Sequence, residues 1–188
     1  NKIKTAQGEH WLSIPVRNKG RYEQLINEVQ VSEPGWAQAH WKTIEMSYRR
    51  AACFEQMEGP IRALFEQAAA LTHLSRINHL FIAGLCPLLN IYTPLFRAEE
   101  LGQATGKNER LVQLCQAVGG THYLSGPAAS CYLDEAAFAA AGLGLSYMDY
   151  AGYPEYPQLY GGFQHALSVI DLLFNTGADA PAFLERRP

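Results

Sequence analysis

Hydrophobic and polar positions change period several times along this chain, and the changes mark its elements. His10–Val16, HWLSIPV, and Ile26–Val31, INEVQV, are short stretches carrying Ile and Val, and both are predicted as strands of one sheet. RNKGRYEQL between them is charged and holds a glycine, which reads as an exposed connection. After Pro34-Gly35 the period lengthens: Trp36, His40, Ile44 and Ser47 share a stripe and predict a helix from Trp36 to about Cys53. Gly59-Pro60 is expected to separate it from a second helix near Ile61–Leu71. A third helix runs from about Leu74 to Asn90, interrupted near Pro87, where a backbone donor is lost.

The second half reads differently. Tyr92–Arg97, Thr121–Leu124 and Leu143–Met148 are predicted strands, with helices at Lys107–Val118 and about Ser130–Ala141 between them. Strands and helices alternating at this spacing imply a parallel sheet with right-handed crossovers. Gly119-Gly120 and Gly142 stand where a left-handed helix cap needs a residue without Cβ. Along Lys107–Val118, Leu111, Leu114, Cys115 and Val118 form the stripe expected to be buried. GYPEYPQLYGGF is a turn-rich passage that feeds a last helix, Ser168–Asn175, closed by Gly177. The predicted class is α/β, with a mixed sheet: antiparallel N-terminal strands, a helical insertion over about 36–90, and a parallel βαβαβ half over about 91–177. All of it is expected to form a single domain over 1–188.

Composition narrows the function classes. Fifteen Lys and Arg against eighteen Asp and Glu leave a formal charge of −3, which disfavours a general nucleic-acid binder. The longest apolar run, Leu80–Leu89, is broken by Gly84 and Pro87 and falls short of the roughly 20 residues of a membrane span. Four cysteines at 53, 86, 115 and 131 form no CxxC pair. With no signal-peptide pattern present, they predict reduced thiols in a cytoplasmic protein. The six histidines include no i,i+4 pair and no HExxH, so no zinc site is expected. Nucleophile-elbow, P-loop and dinucleotide-binding motifs are absent, and no cofactor is named by the residues.

Candidate chemistry gathers where predicted strands end. THYLSGPAASCYLDEAAF, Thr121–Phe138, hands a strand over to a helix, where unpaired N–H groups favour an anion. Ser125, Gly126 and Ser130 would approach such a ligand, a phosphate or carboxylate. The competing reading makes Ser130 a helix N-cap and Asp134 and Glu135 favourable first-turn acids. In TGKNERL, Lys107 and Arg110 fall in or beside the first helical turn, where cations are disfavoured; a held anion would remove that conflict, and Glu109 or a surface-facing Arg110 would do so as simply. HWKTI offers His40 as a general base and Lys42 as a cation on a different face. Asp149, directly after the third predicted parallel strand, and Glu155 lie in YMDYAGYPEYPQLY, whose tyrosine faces suit sugars or nucleobases. Asp171 stands in an apolar run, but Ser168-x-x-Asp171 has the spacing of a capping box, and that reading is preferred.

Several phrases together resemble the WbqC-like family of bacterial proteins, associated with O-antigen and other polysaccharide gene clusters. They are NKIKT at 1–5, HWLSIPV at 10–16, HWKTIEMSYRRAACF at 40–54, NERLVQLCQAVGGTHYLSGPAASCYLDEAAF at 108–138, YPEYPQL at 153–159 and LSVIDLLFN at 167–175. Members also carry an opening segment with a Gln-Pro-x-Tyr-x-Pro-Trp-like motif ahead of the position of Asn1, and this sequence lacks it. The resemblance implies an α/β protein and a glycine or aminoacyl transferase role in decorating surface sugars. On that reading the substrate is a small anionic activated precursor, a nucleotide-sugar or an aminoacyl donor. Asp149 and His40 are the candidate catalytic residues. Lys42, Lys107, Arg110, Ser125, Gly126, Tyr132 and Glu155 are the candidate substrate contacts. The residues leave a second class open, a non-catalytic ligand-binding or scaffolding protein of the same pathway, because no nucleophile identifies itself.

Overall fold

The computed structural model describes residues 1–102 and 106–185. In chain order its regular elements are β1 (Lys2–Thr5), β2 (Gly8–Trp11), α1 (Trp36–Tyr48), α2 (Phe54–Ala68) and α3 (Leu74–Leu85). They continue with α4 (Lys107–Ala117), β3 (His122–Ser125), α5 (Glu135–Ala140), β4 (Gly144–Tyr147) and α6 (Val169–Thr176). The fold is α/β, with an antiparallel strand pair and a parallel one. Two compact units form: Asn1–Tyr92 with Tyr153–Pro188, and Thr93–Gly152.

In the first unit α2 is the central helix, packed against α1, α3 and α6. Phe54, Met57, Ile61, Leu64, Phe65 and Ala68 recur at helical spacing and are all buried. This stripe explains why Pro60 sits inside α2 instead of ending it. The prolyl ring removes one backbone donor, but the apolar face on both sides of it is committed to the core. α1 places Trp36, Ile44 and Ser47 inward as its pattern predicts, and ends at Tyr48, earlier than Cys53. α6 is nearly all core: Ile170 through Asn175 are buried, and the Phe174 ring lies 5.2 Å from those of both Tyr48 and Phe54. Gly177 follows α6 at φ +59, and a Cβ there would sit 2.9 Å from the Cys53 sulfur.

The N-terminal strands are shorter than their patterns imply. β1 and β2 pair in the register Lys2↔Trp11 through Thr5↔Gly8, and the predicted strand His10–Val16 survives only to Trp11. Pro15 interrupts the rest, leaving Val16↔Val31 as an isolated antiparallel bridge. Ile26–Glu28 is a 3-10 turn because the Glu28 carboxylate accepts the Leu25 N–H and closes the backbone locally.

In the second unit β3 and β4 run parallel, His122↔Gly144 through Ser125↔Tyr147, with α5 in the crossover. Their inner face carries Tyr123, Leu145 and Tyr147 onto a core of Cys115, Ala129, Leu133, Phe138 and Leu143. Leu111 and Val112 of α4 pack on this core, whereas Val118 of the predicted stripe is exposed. Among the described residues Tyr92–Arg97 is not a strand, so the parallel sheet has two strands and not three. Pro94 within it cannot donate to a ladder. The predicted helix Ser130–Ala141 divides into a 3-10 turn, Pro127–Cys131, and α5.

The aromatic contact between α6 and its neighbours generates a direct expectation. Phe174→Ala empties a fully buried ring site between α1 and α2, and should cost about 3–5 kcal/mol. A urea unfolding curve checks it: the midpoint should fall with little change in slope.

Candidate functional site

α6 carries Asp171 into the interior of the first unit, where it is 0% exposed. Its Oδ1 accepts the Tyr48 hydroxyl at 2.7 Å, and its Oδ2 accepts the Tyr156 hydroxyl at 2.8 Å and the Gln158 Nε2 at 3.0 Å. The Tyr48 oxygen in turn accepts the Lys4 backbone N–H at 3.0 Å, so its one proton is directed at the carboxylate. Lys4, 2% exposed, donates from Nζ to the Gln158 Oε1 at 3.0 Å and to the Gly162 carbonyl at 2.6 Å. The ammonium and the carboxylate are therefore joined through the two ends of one amide. Gln158 is fixed by Gln164, whose N–H it accepts and whose carbonyl it donates to. The Tyr160 hydroxyl ties the same passage to the Ser47 carbonyl at 2.6 Å.

Burial pushes the Asp171 carboxyl above its ordinary value, while Tyr48, Tyr156, Lys4 and Gln158 pull against that rise. Burial, then the charge of Asp171, raises both tyrosine hydroxyls well above their ordinary range. They remain neutral donors. All three donors point at the carboxylate, which suits its ionised form. The expected capping box does not form: Ser168 makes no side-chain cap, and the Asp171 N–H bonds to the Ser168 carbonyl. The signal for this site was an acid flanked on both sides by residues that a helix would bury; Lys4, Tyr48, Tyr156 and Gln158 gave no local signal.

In the second unit the carboxyl ends of β3 and β4 leave side by side at Ser125 and Tyr147, and the Met148 N–H bonds to the Ser125 carbonyl at 2.7 Å. Gly126 begins the 3-10 turn next to the Tyr150 hydroxyl. Asp149 is exposed, and its Oδ1 accepts the Ala151 N–H at 3.0 Å. Tyr132 is exposed. Lys107 and Arg110 lie on the first turn of α4 and are exposed. Asn108 between them accepts the Asp134 N–H at 3.0 Å, which brings the start of α4 beside the start of α5. Asp134, not Ser130, is the N-cap, accepting the N–H groups of Ala136 and Ala137; the Ser130 hydroxyl donates to Pro127.

His40, Lys42 and Glu155 belong to the first unit. His40 packs edge-on against Trp36, and its Nε2 lies 3.2 Å from the Ser13 carbonyl, so that nitrogen carries the proton. Burial lowers its pKa, with the Ser13 contact opposing and His10 adding to the fall. Lys42 is exposed, and the exposed Glu155 lies 4.0 Å from the His165 Nε2. Among the described residues no three His, Cys, Asp or Glu side chains cluster as a metal site would require, and the four cysteines are free.

Two measurements test these environments. Asp171→Asn places an amide nitrogen opposite either Gln158 or Tyr48. Gln158 cannot reverse without breaking its Gln164 and Lys4 contacts, and Tyr48 already accepts from Lys4, so one donor is orphaned in both arrangements. The variant should lose about 1–3 kcal/mol, read by denaturant unfolding at neutral pH. His40 is held below its unfolded value of 6.5, so its contribution is full above pH 6.5 and is lost as the pH falls through the folded value. The stability difference between wild type and His40→Gln should accordingly shrink between pH 7.5 and about pH 5, and a constant difference would overturn the assignment.

Comparison with known proteins gives the chain its relatives. The family model described as WbqC-like protein family matches residues 1–183. A protein of Mycobacterium tuberculosis, named there as uncharacterized protein Rv1507c, is 41% identical over 184 residues, covering 98% of this chain and 79% of that one. No solved structure matches. No helix among the described residues is long and apolar enough to cross a membrane. The architecture, the match along nearly its whole length and the identity to this relative together establish that the chain belongs to the WbqC-like family.

Proposed function

We propose that this chain is a transferase of bacterial surface-polysaccharide biosynthesis that moves a glycyl, other aminoacyl or related group from a small anionic activated donor. The supporting observation is the parallel register of β3 and β4, whose carboxyl ends leave together at Ser125 and Tyr147. In open α/β sheets ligands lie at this edge. Lys107 and Arg110 neutralise the donor phosphate, and neither has an ion-pair partner among the described residues. Ser125 and Gly126 give close polar approach, and the exposed ring of Tyr132 offers a stacking face for a sugar or base. Lys42 and Glu155, an exposed cation and an exposed acid of the first unit, are kept as separate candidates for substrate contact on their chemistry alone. Asp149 takes the proton from the acceptor as the acceptor bonds to the transferred group, and the bond from that group to the donor breaks so that the phosphate-bearing portion leaves against Lys107 and Arg110. His40 is a separate candidate base on the first unit, because lowering its pKa keeps it neutral and able to accept a proton at neutral pH.

One observation favours a non-catalytic binding or scaffolding protein instead: the Asp149 Oδ1 is engaged by the Ala151 N–H, the arrangement of a turn-forming aspartate. Asp149→Asn separates the two readings, since asparagine keeps that acceptor and removes the base. Turnover of nucleotide-sugar and aminoacyl donors, followed by mass spectrometry, should fall by about 10²–10⁴ in Asp149→Asn or His40→Ala. Full activity in both removes them from the mechanism. Lys107→Ala and Arg110→Ala should each weaken donor binding roughly tenfold by calorimetry. Binding without product in the wild type would select the scaffolding reading.

A further inference from the structure

The strongest surface feature that the proposed chemistry does not use is the connection between Val16 and Val29. Tyr22 is 97% exposed, Ile26 84% and Leu25 62%, three large apolar side chains within five residues. Arg17, Lys19 and Arg21 stand beside them, all exposed, and none has an ion-pair partner among the described residues. Glu23 is the one carboxylate between Arg17 and Ile26, so this segment is cationic on a chain whose formal charge is −3.

The segment is braced by several of its own hydrogen bonds, although the Gln24 Oε1 is buried without a partner. The Arg21 N–H bonds to the Asn18 carbonyl at 3.1 Å, the Gln24 N–H to the Arg21 carbonyl at 3.3 Å, and the Gln24 Nε2 to the Arg17 carbonyl at 3.2 Å. Glu28 accepts the Leu25 N–H at 2.9 Å, which fixes its carboxylate at the end of the loop, and Arg17, Lys19 and Arg21 still outnumber Glu23 and Glu28. Gly20 turns the chain at φ +71, and Gly20 through Gln24 line a shallow concavity. Backbone groups satisfied inside the loop carry a smaller desolvation penalty when its apolar tips leave water.

We propose that this loop docks the protein peripherally on an anionic phospholipid surface. Tyr22, Leu25 and Ile26 enter the headgroup region, and Arg17, Lys19 and Arg21 meet lipid phosphates. Charge complementarity selects an anionic partner, and the size of the apolar patch selects a lipid one. Three side chains fall well short of the roughly 800 Å² that each partner covers in a stable protein interface. A membrane interface needs only a few inserted apolar groups reinforced by cations. The inference is independent of the proposed transferase chemistry.

Cosedimentation of the full chain with vesicles tests it. Vesicles of phosphatidylcholine with phosphatidylglycerol should retain the protein, phosphatidylcholine alone should not, and high salt should release it. Replacing Arg17, Lys19 and Arg21 together by Gln should lower the partition coefficient at least roughly tenfold, since each cation near an anionic surface is worth about a fivefold change. Tyr22→Ser combined with Leu25→Ser and Ile26→Ser should lower it comparably, with circular dichroism unchanged because these side chains lie outside the core. Failure to bind anionic vesicles, or binding that neither variant weakens, overturns the proposal. Retention on polyglutamate without vesicle binding would replace the lipid by an acidic protein.

Discussion

A carboxylate withdrawn from water must be met by donors, and in the first unit that requirement falls on Asp171. Removing an ion from water costs several kcal/mol even after relaxation, and attraction to a distant cation does not repay it alone. Three hydrogen bonds from Tyr48, Tyr156 and Gln158 do most of that work. Lys4 poses the mirror-image problem, and the same side chain addresses both: Gln158 offers its carbonyl to the ammonium and its amino group to the carboxylate. A glutamate there would turn an oxygen toward Asp171, and a leucine would leave both charges short of partners. The network thereby joins β1, α1, α6 and the passage after Tyr153 at one point, which no apolar contact among them could specify as narrowly.

Legibility followed the range of the interactions. α1 and α4 were visible because consecutive turns repeat one apolar stripe, α3 and α6 as apolar runs between turn signals, and the parallel pairing of β3 with β4 because a helix separates two short apolar runs. What failed was decided by a single residue or a distant one. Pro60 looked like a boundary because its local cost is plain in sequence, whereas the buried stripe that overrides it is a property of the folded core. Ser168 and Asp171 have capping-box spacing, yet the carboxylate finds better donors in Tyr48 and Tyr156, which are remote in sequence or beyond a turn-rich passage. The candidate residues near β3 and β4 were legible as positions past strand ends; their hydrogen-bond partners were not.

Asp134 shows how one local bond redistributes the options of the second unit. By accepting the Ala136 and Ala137 N–H groups, its carboxylate occupies donors that an anion would otherwise seek at the start of α5. It also adds negative charge there, so a phosphate is poorly served at that helix. The start of α4 is mixed in charge: Gly106 caps it without a side-chain acceptor, Lys107 and Arg110 follow, and Glu109 stands between them with its carboxylate beside Gly106. Two cations at a helix N-terminus oppose the backbone dipole, and Glu109 in the same turn offsets part of that conflict, as an anion bound there would. Because Asn108 holds the Asp134 N–H, the acid-capped start and the cation-bearing start are neighbours. That one side-chain bond therefore sets two helix starts of different charge side by side, each partly satisfied by its own carboxylate.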